Sequence, residues 1–163
     1  MEMKDHKTQH AAKEHNKHYK HLLIMAILSF IAMYILMYAM VDTFSNVFMN
    51  VNQFYMAGLM ASPMVIIELI VMRSMYMNKK LNMLLIAVSA ILLIGFFVLI
   101  RQQAGVGDKQ FLKSMIPHHA GAILMCEEAN ITDPEIKKLC EQINSSQKAE
   151  IAQMKAKLNE LKK

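Results

Sequence analysis

Apolar positions are unevenly spread along this chain of 163 residues. Three nearly unbroken runs, Leu22 to Val41, Phe54 to Met72 and Leu81 to Ile100, each approach the ~20 residues that a helix needs to cross a bilayer core. The first run is longer than the ~7 to 15 residues of a signal-peptide core, and no small-x-small cleavage site closes it, so it reads as a retained anchor. Beyond a short Gly-containing linker at 101–107 the pattern changes to an amphipathic one. Phe111, Leu112, Met115, Ile116, Ile123 and Leu124 predict a helix over about 108–130, and Ile136, Leu139, Ile143, Ile151, Met154, Leu158 and Leu161 predict a second. Thr132-Asp133-Pro134-Glu135 offers the second helix a capping box and a first-turn proline. So short a connection predicts an antiparallel hairpin.

The expected fold is therefore all-α: a polar tail (1–21), a three-helix transmembrane region (22–100) and a helical hairpin domain (108–163). A hairpin of this size buries little apolar surface and is marginal alone. It is expected to dimerise into a four-helix bundle or to lean on another element, and a homodimer is the simplest solution.

Charge gives the spans a direction. Lys4, Lys7, Lys13, Lys17 and Lys20 precede the first span, the loop from Asp42 to Gln53 has no basic residue, and the next loop has Arg73, Lys79 and Lys80. The bias predicts a cytoplasmic N-terminus in a bacterial inner or cell membrane, with the hairpin domain periplasmic or extracellular. The net charge of +5 is mostly this topological bias, and no nucleic-acid partner is expected.

Candidate chemistry lies at both wet ends. Five of the seven histidines, His6, His10, His15, His18 and His21, fall in the first 21 residues. They read either as part of a solvated tail whose lysines set topology or as a metal-collecting segment. In the hairpin, the string MIPHHAGAILMCEEA places Met115, His118 and His119 at i, i+3 and i+4, with Met125 and Cys126 two turns on. Pro117 either starts the regular helix or kinks it. Gln147, Glu150 and Met154 share a face of the second helix, and with a turn near Ile131 and Thr132, Met115 faces the level of Lys148 and His119 that of Asn144. Thioether sulfur favours Cu(I) or Ag(I), and imidazole suits copper in either oxidation state. Zinc fits less well, since its usual ligands exclude methionine. For Cys126 and Cys140 three readings stay open: a disulfide, buried thiols, or further metal ligands.

Methionine is unusually frequent, 17 residues, and Met56, Met60, Met64, Glu68 and Met72 recur every four positions along the second span. The stripe reads either as adaptable packing, with Met33, Met37 and Met40 of the first span facing it, or as a relay for a soft cation. Glu68 is costly in hydrocarbon and calls for a partner, Arg73 or a metal, or for neutralisation or snorkelling at the span's end.

Phe111, Met115, His118, His119 and Ala122, followed by Gln147, Glu150, Ile151 and Met154, resemble the bacterial domain-of-unknown-function family 305. This is a ferritin-like helical family that includes periplasmic copper-binding proteins linked to copper resistance. The resemblance covers about 55 residues. It implies metal binding through Met115, His118, His119 and Met154, with Gln147 and Glu150 as polar partners. Family domains often carry two such hairpins, so a single one is expected to act as a dimer. The expected function is membrane-anchored capture of Cu(I) or Ag(I) through Met115, His118, His119, Met125, Glu150 and Met154, for resistance or for delivery to a pump or efflux partner. The alternative is a structural module that dimerises through the hairpin. No nucleophile and base pair, phosphate loop or nucleotide fingerprint occurs, so catalysis is not expected.

Overall fold

The computed structural model describes residues 2–161, with side chains from 17 onward. Five α-helices follow one another: α1 (Glu2–Leu36), α2 (Val51–Val71), α3 (Lys79–Arg101), α4 (Asp108–Glu128) and α5 (Pro134–Glu160). Short 3-10 turns at Met37–Met40 and Phe44–Asn46 lie between α1 and α2, and no strand occurs among the described residues. Three stretches are long and apolar enough to cross a membrane: Lys17–Met40, Val51–Val71 and Lys79–Arg101. The side chains of His6, His10 and His15 lie outside the described residues.

The chain divides into two compact units. One comprises residues 1–34 and 55–102, the other residues 35–54 and 103–163.

In the first unit, α2 turns a face of small residues inward. Ala57, Gly58, Ala61, Ser62 and Leu69 are its buried positions. Gly58 gives the Phe96 ring of α3 its place, because a Cβ there would collide with the ring and make it shift. The methionine stripe is thus not the packed face: Met56, Met60 and Met72 are exposed, since small residues let helix backbones approach more closely than thioethers do. Glu68 takes its hydrogen bond from the Tyr76 hydroxyl at 3.2 Å. Tyr76 in turn packs with Leu22 and Leu69 and lies 5.2 Å, ring centre to ring centre, from Tyr19. The Tyr19 hydroxyl donates to Asn82 Oδ1 at 2.6 Å, and Asn82 Nδ2 donates to the Tyr76 carbonyl at 2.7 Å.

In the second unit, α4 and α5 form the expected hairpin around Ile116, Ala120, Ile123, Ile151 and Leu158. Its connection is longer than the sequence predicts. Ala129 and Asp133 are both extended, and the cap of α5 is Asp133, whose side chain accepts from the Glu135 and Ile136 amides, rather than Thr132. Pro134 at the first helical position fixes that start. The extended connector moves the register by about three residues, since Cys126 is joined to Cys140 by a disulfide with a Cα separation of 5.2 Å where the sequence register puts residue 137 opposite it. Lys148 Nζ reaches Glu127 Oε1 at 2.7 Å. Of the three readings of the cysteines, the bonded one holds.

The hairpin leans on the segment that follows α1. Val41 and Phe48 pack against its core, the Tyr38 hydroxyl donates to the Phe48 carbonyl at 2.8 Å, and Lys155 Nζ donates to Ser45 Oγ at 3.4 Å. Asn52 Nδ2 bonds Gln103 Oε1 at 3.0 Å and Ser114 Oγ at 3.3 Å. Buried Asn50 has the most telling place. Pro117 lies inside α4 without ending it, and it leaves the Lys113 carbonyl without its helical donor. Asn50 Nδ2 points at that carbonyl from 3.5 Å, while Asn50 Oδ1 accepts the Gln53 amide at 2.9 Å at the start of α2.

Candidate metal centre

Helix α4 carries the two histidines side by side, about 100° apart around the axis, and their surroundings differ accordingly. His118 is exposed and His119 is largely covered, its side chain 12% accessible. Their ring centres stand 6.0 Å apart. His119 turns toward α5, where its Nδ1 lies 3.0 Å from Glu150 Oε2. The approach is off the hydrogen-bonding direction, and buried Nδ1 has no hydrogen-bond partner. Glu150 is held from its own helix, because Ser146 Oγ donates to its Oε1 at 2.6 Å.

Two further buried atoms on this side of α5 lack a partner: Asn144 Oδ1 and Gln147 Oε1. Asn144, Gln147, Glu150 and Met154 follow one another at helical spacing, so they line a common side of α5. The Met154 side chain packs against the hairpin core. Buried polar atoms without partners are uncommon, since each carries a desolvation cost of ~1 to 3 kcal/mol. Lone pairs of nitrogen and amide oxygen beside a carboxylate are what a cation would satisfy. Burial holds the His119 imidazole below its usual protonation range; the Glu150 charge pulls the other way, and the neighbouring His118 adds to the lowering. A neutral imidazole is the ligand form.

The sequence-derived set is thus divided. His119, Glu150 and Met154 lie on the inner side of the hairpin, Met115 is half-buried one turn before the histidines, and His118 and Met125 are exposed. Among the described residues no three His, Cys, Asp or Glu side chains form a cluster that could hold a metal ion. Any such centre must draw on thioether or amide donors besides the His119–Glu150 pair. The unpartnered Asn144 escaped sequence reasoning as a candidate donor, because its burial depends on the register of the hairpin.

A model of the domain of unknown function DUF305 matches residues 98–158. The uncharacterized protein L153 of Acanthamoeba polyphaga mimivirus is 38% identical over 144 residues, which cover 86% of this chain and 93% of the viral protein. No solved structure matches. Identity at that level over nearly the whole of both chains places this protein in one family with L153, and the DUF305 match spans most of the helical hairpin.

Proposed function

We propose that this protein is a membrane-anchored binder of soft monovalent metal ions, Cu(I) or Ag(I), which it holds outside the cytoplasm for resistance or for delivery to an efflux or pump partner. The observation that carries the reading is the unsatisfied inner side of the hairpin: His119 Nδ1, Asn144 Oδ1 and Gln147 Oε1, all buried without partners, beside the Glu150 carboxylate. The Met154 thioether lies on the same side of α5, and that of Met115 lies one turn from His119. Imidazole and thioether together favour a soft ion over zinc or a hard divalent cation. Ligands of this kind exchange readily, which suits handing the ion on.

Location is supported by two independent features. Three membrane-competent helices with basic residues at the N-terminus and in the second loop favour a cytoplasmic N-terminus. The Cys126–Cys140 disulfide favours an oxidising compartment for the hairpin.

The test is a competition titration of the full chain in detergent with Cu(I), Ag(I) and Zn(II), beside His119→Ala and Glu150→Gln variants. Tight binding of Cu(I) and Ag(I) is expected, with zinc far weaker. His119→Ala should weaken it by about 100-fold or more, since loss of even an outer-sphere partner typically costs 10- to 100-fold. Absence of binding, or binding indifferent to His119, would overturn the reading.

A further inference from the structure

Where α1 ends at Leu36 the chain tightens into the 3-10 turn Met37–Met40, and Val41 follows in extended conformation. Val41 packs on the hairpin core, while Met40 stays 53% exposed. The turn meets α4 at Gly121. A Cβ built there would lie 3.4 Å from the Met40 carbonyl and 3.9 Å from the Met40 Cβ, so the backbone of Met40 rests directly on the helix.

Two donors flank that contact. His118 precedes Gly121 by three residues and Met125 follows it by four, spacings that set Cβ atoms ~5 to 6 Å apart on one side of a helix. His118 is exposed and Met125 is 53% exposed. Met40 therefore stands between an imidazole and a second thioether, and all three belong to the same compact unit. Methionine is unbranched and adaptable, so both sulfurs can turn to an ion held at the imidazole. Neither residues 37–50 nor α4 from Ser114 to Glu128 contains a Lys or Arg, so neither stretch sets a positive charge against a cation. Lys155 of α5 reaches the loop further on, at Ser45.

We propose that Met40, His118 and Met125 form a second, outer site for one soft monovalent cation. Two thioethers and an imidazole select Cu(I) or Ag(I) over harder ions. The inference rests on the functional reading above for the class of ion, and it adds a ligand, Met40, from outside the hairpin. The outer ion is held more weakly than the inner one. Its donors are exposed, and an ion already at His119, whose ring centre is 6.0 Å from that of His118, repels it.

The test is a stepwise Ag(I) titration of the metal-free full chain in detergent, followed by NMR of methyl-13C-labelled methionine. The signals of Met40 and Met125, assigned from Met40→Leu and Met125→Leu variants, should shift together in a second step, after the one that needs His119. His118→Ala, Met40→Leu and Met125→Leu should each weaken that second step by at least about 10-fold, since losing even an outer-sphere partner costs that much, and leave the first intact. Met49→Leu, at a methionine of the same loop that is 70% exposed, should change neither step. Circular dichroism of each variant should match the wild type. A Met40 signal that moves no earlier than that of Met49, or a second step indifferent to His118, overturns the outer site and leaves the functional reading standing. A single step, lost alike in His118→Ala and His119→Ala, also overturns it, and absence of Ag(I) binding overturns both.

Discussion

Burial holds the His119 imidazole below its usual protonation range, and the sign of the consequence for stability follows directly. In the unfolded chain this group takes a proton near the ordinary histidine value of about 6.5, while the folded chain resists it. Between that value and the depressed folded value the unfolded state binds more protons, so stability rises with pH in this window. The contribution is complete above the unfolded value and is lost as pH falls through it. Melting temperatures of the metal-free protein should therefore drop between pH 7.5 and 5 more steeply than those of a His119→Gln variant; parallel profiles would refute the assignment. His118 and His119 also mark how far the sequence can be read at this scale. The MxxHH spacing identified both as candidate ligands, since Met and His at i, i+3 and i+4 share a side of any helix. It did not separate them, because which of two adjacent positions is covered depends on what α5 brings opposite, and that depends on the extended backbone of residues 129–133.

At the scale of single elements, α4 continues through Pro117, and the carbonyl that proline leaves free faces a side chain of another segment. Asn50 supplies an amide donor to Lys113 and also caps α2 through the Gln53 amide, so one buried side chain ties the loop after α1 to the hairpin. Asn50→Ala removes these bonds together with those of Asn50 Nδ2 to the Phe48 carbonyl at 3.0 Å and Gln53 Oε1 at 2.9 Å, a loss of roughly 1 to 3 kcal/mol. Denaturant unfolding in detergent should register this as a lower midpoint for the hairpin, whereas Asn159→Ala, at an exposed position on α5, should change little. A result within error of zero for Asn50→Ala would mean that water serves Lys113 equally well. The five helices were legible from periodicity and length, since a run of apolar residues or a 3.6-residue repeat is a local signal. The docking of residues 41–48 on the hairpin was not. Its only trace in the sequence is the interleaving of Val41, Phe44, Val47 and Phe48 with Asp42, Thr43, Asn46 and Asn50, a pattern too short and irregular to match any helix or strand template. The same holds for the cap of α5, where Thr132 and Asp133 are both competent residues and the extended approach of the chain decides between them.

Over the whole molecule, the two compact units are each assembled from separated stretches of chain, and the way the stretches combine bears on topology. Residues 35–54 include the loop between the first and second membrane-competent helices, and residues 103–163 follow the third. In a chain that crosses three times these two stretches emerge on the same side, which is the condition for Val41 and Phe48 to reach the hairpin core and for Lys155 to reach Ser45. An odd number of crossings between residues 54 and 103 would put a membrane between stretches that share one core. In the proposed orientation the loop between α2 and α3, with Arg73, Lys79 and Lys80, lies on the opposite, cytoplasmic face. Ser45, Ser74 and Asn159 are exposed and serve as reporters, and the native cysteines are bonded to each other, so they contribute no background. A membrane-impermeant thiol reagent applied to intact cells should label Ser45→Cys and Asn159→Cys alike, and should reach Ser74→Cys only after the membrane is opened. Labelling of Ser45→Cys and Asn159→Cys from different sides would break the three-crossing arrangement. If both are labelled only in opened cells, the arrangement stands with its orientation reversed. The proposed soft-metal site would then face the cytoplasm, and the proposal of capture outside it would fall.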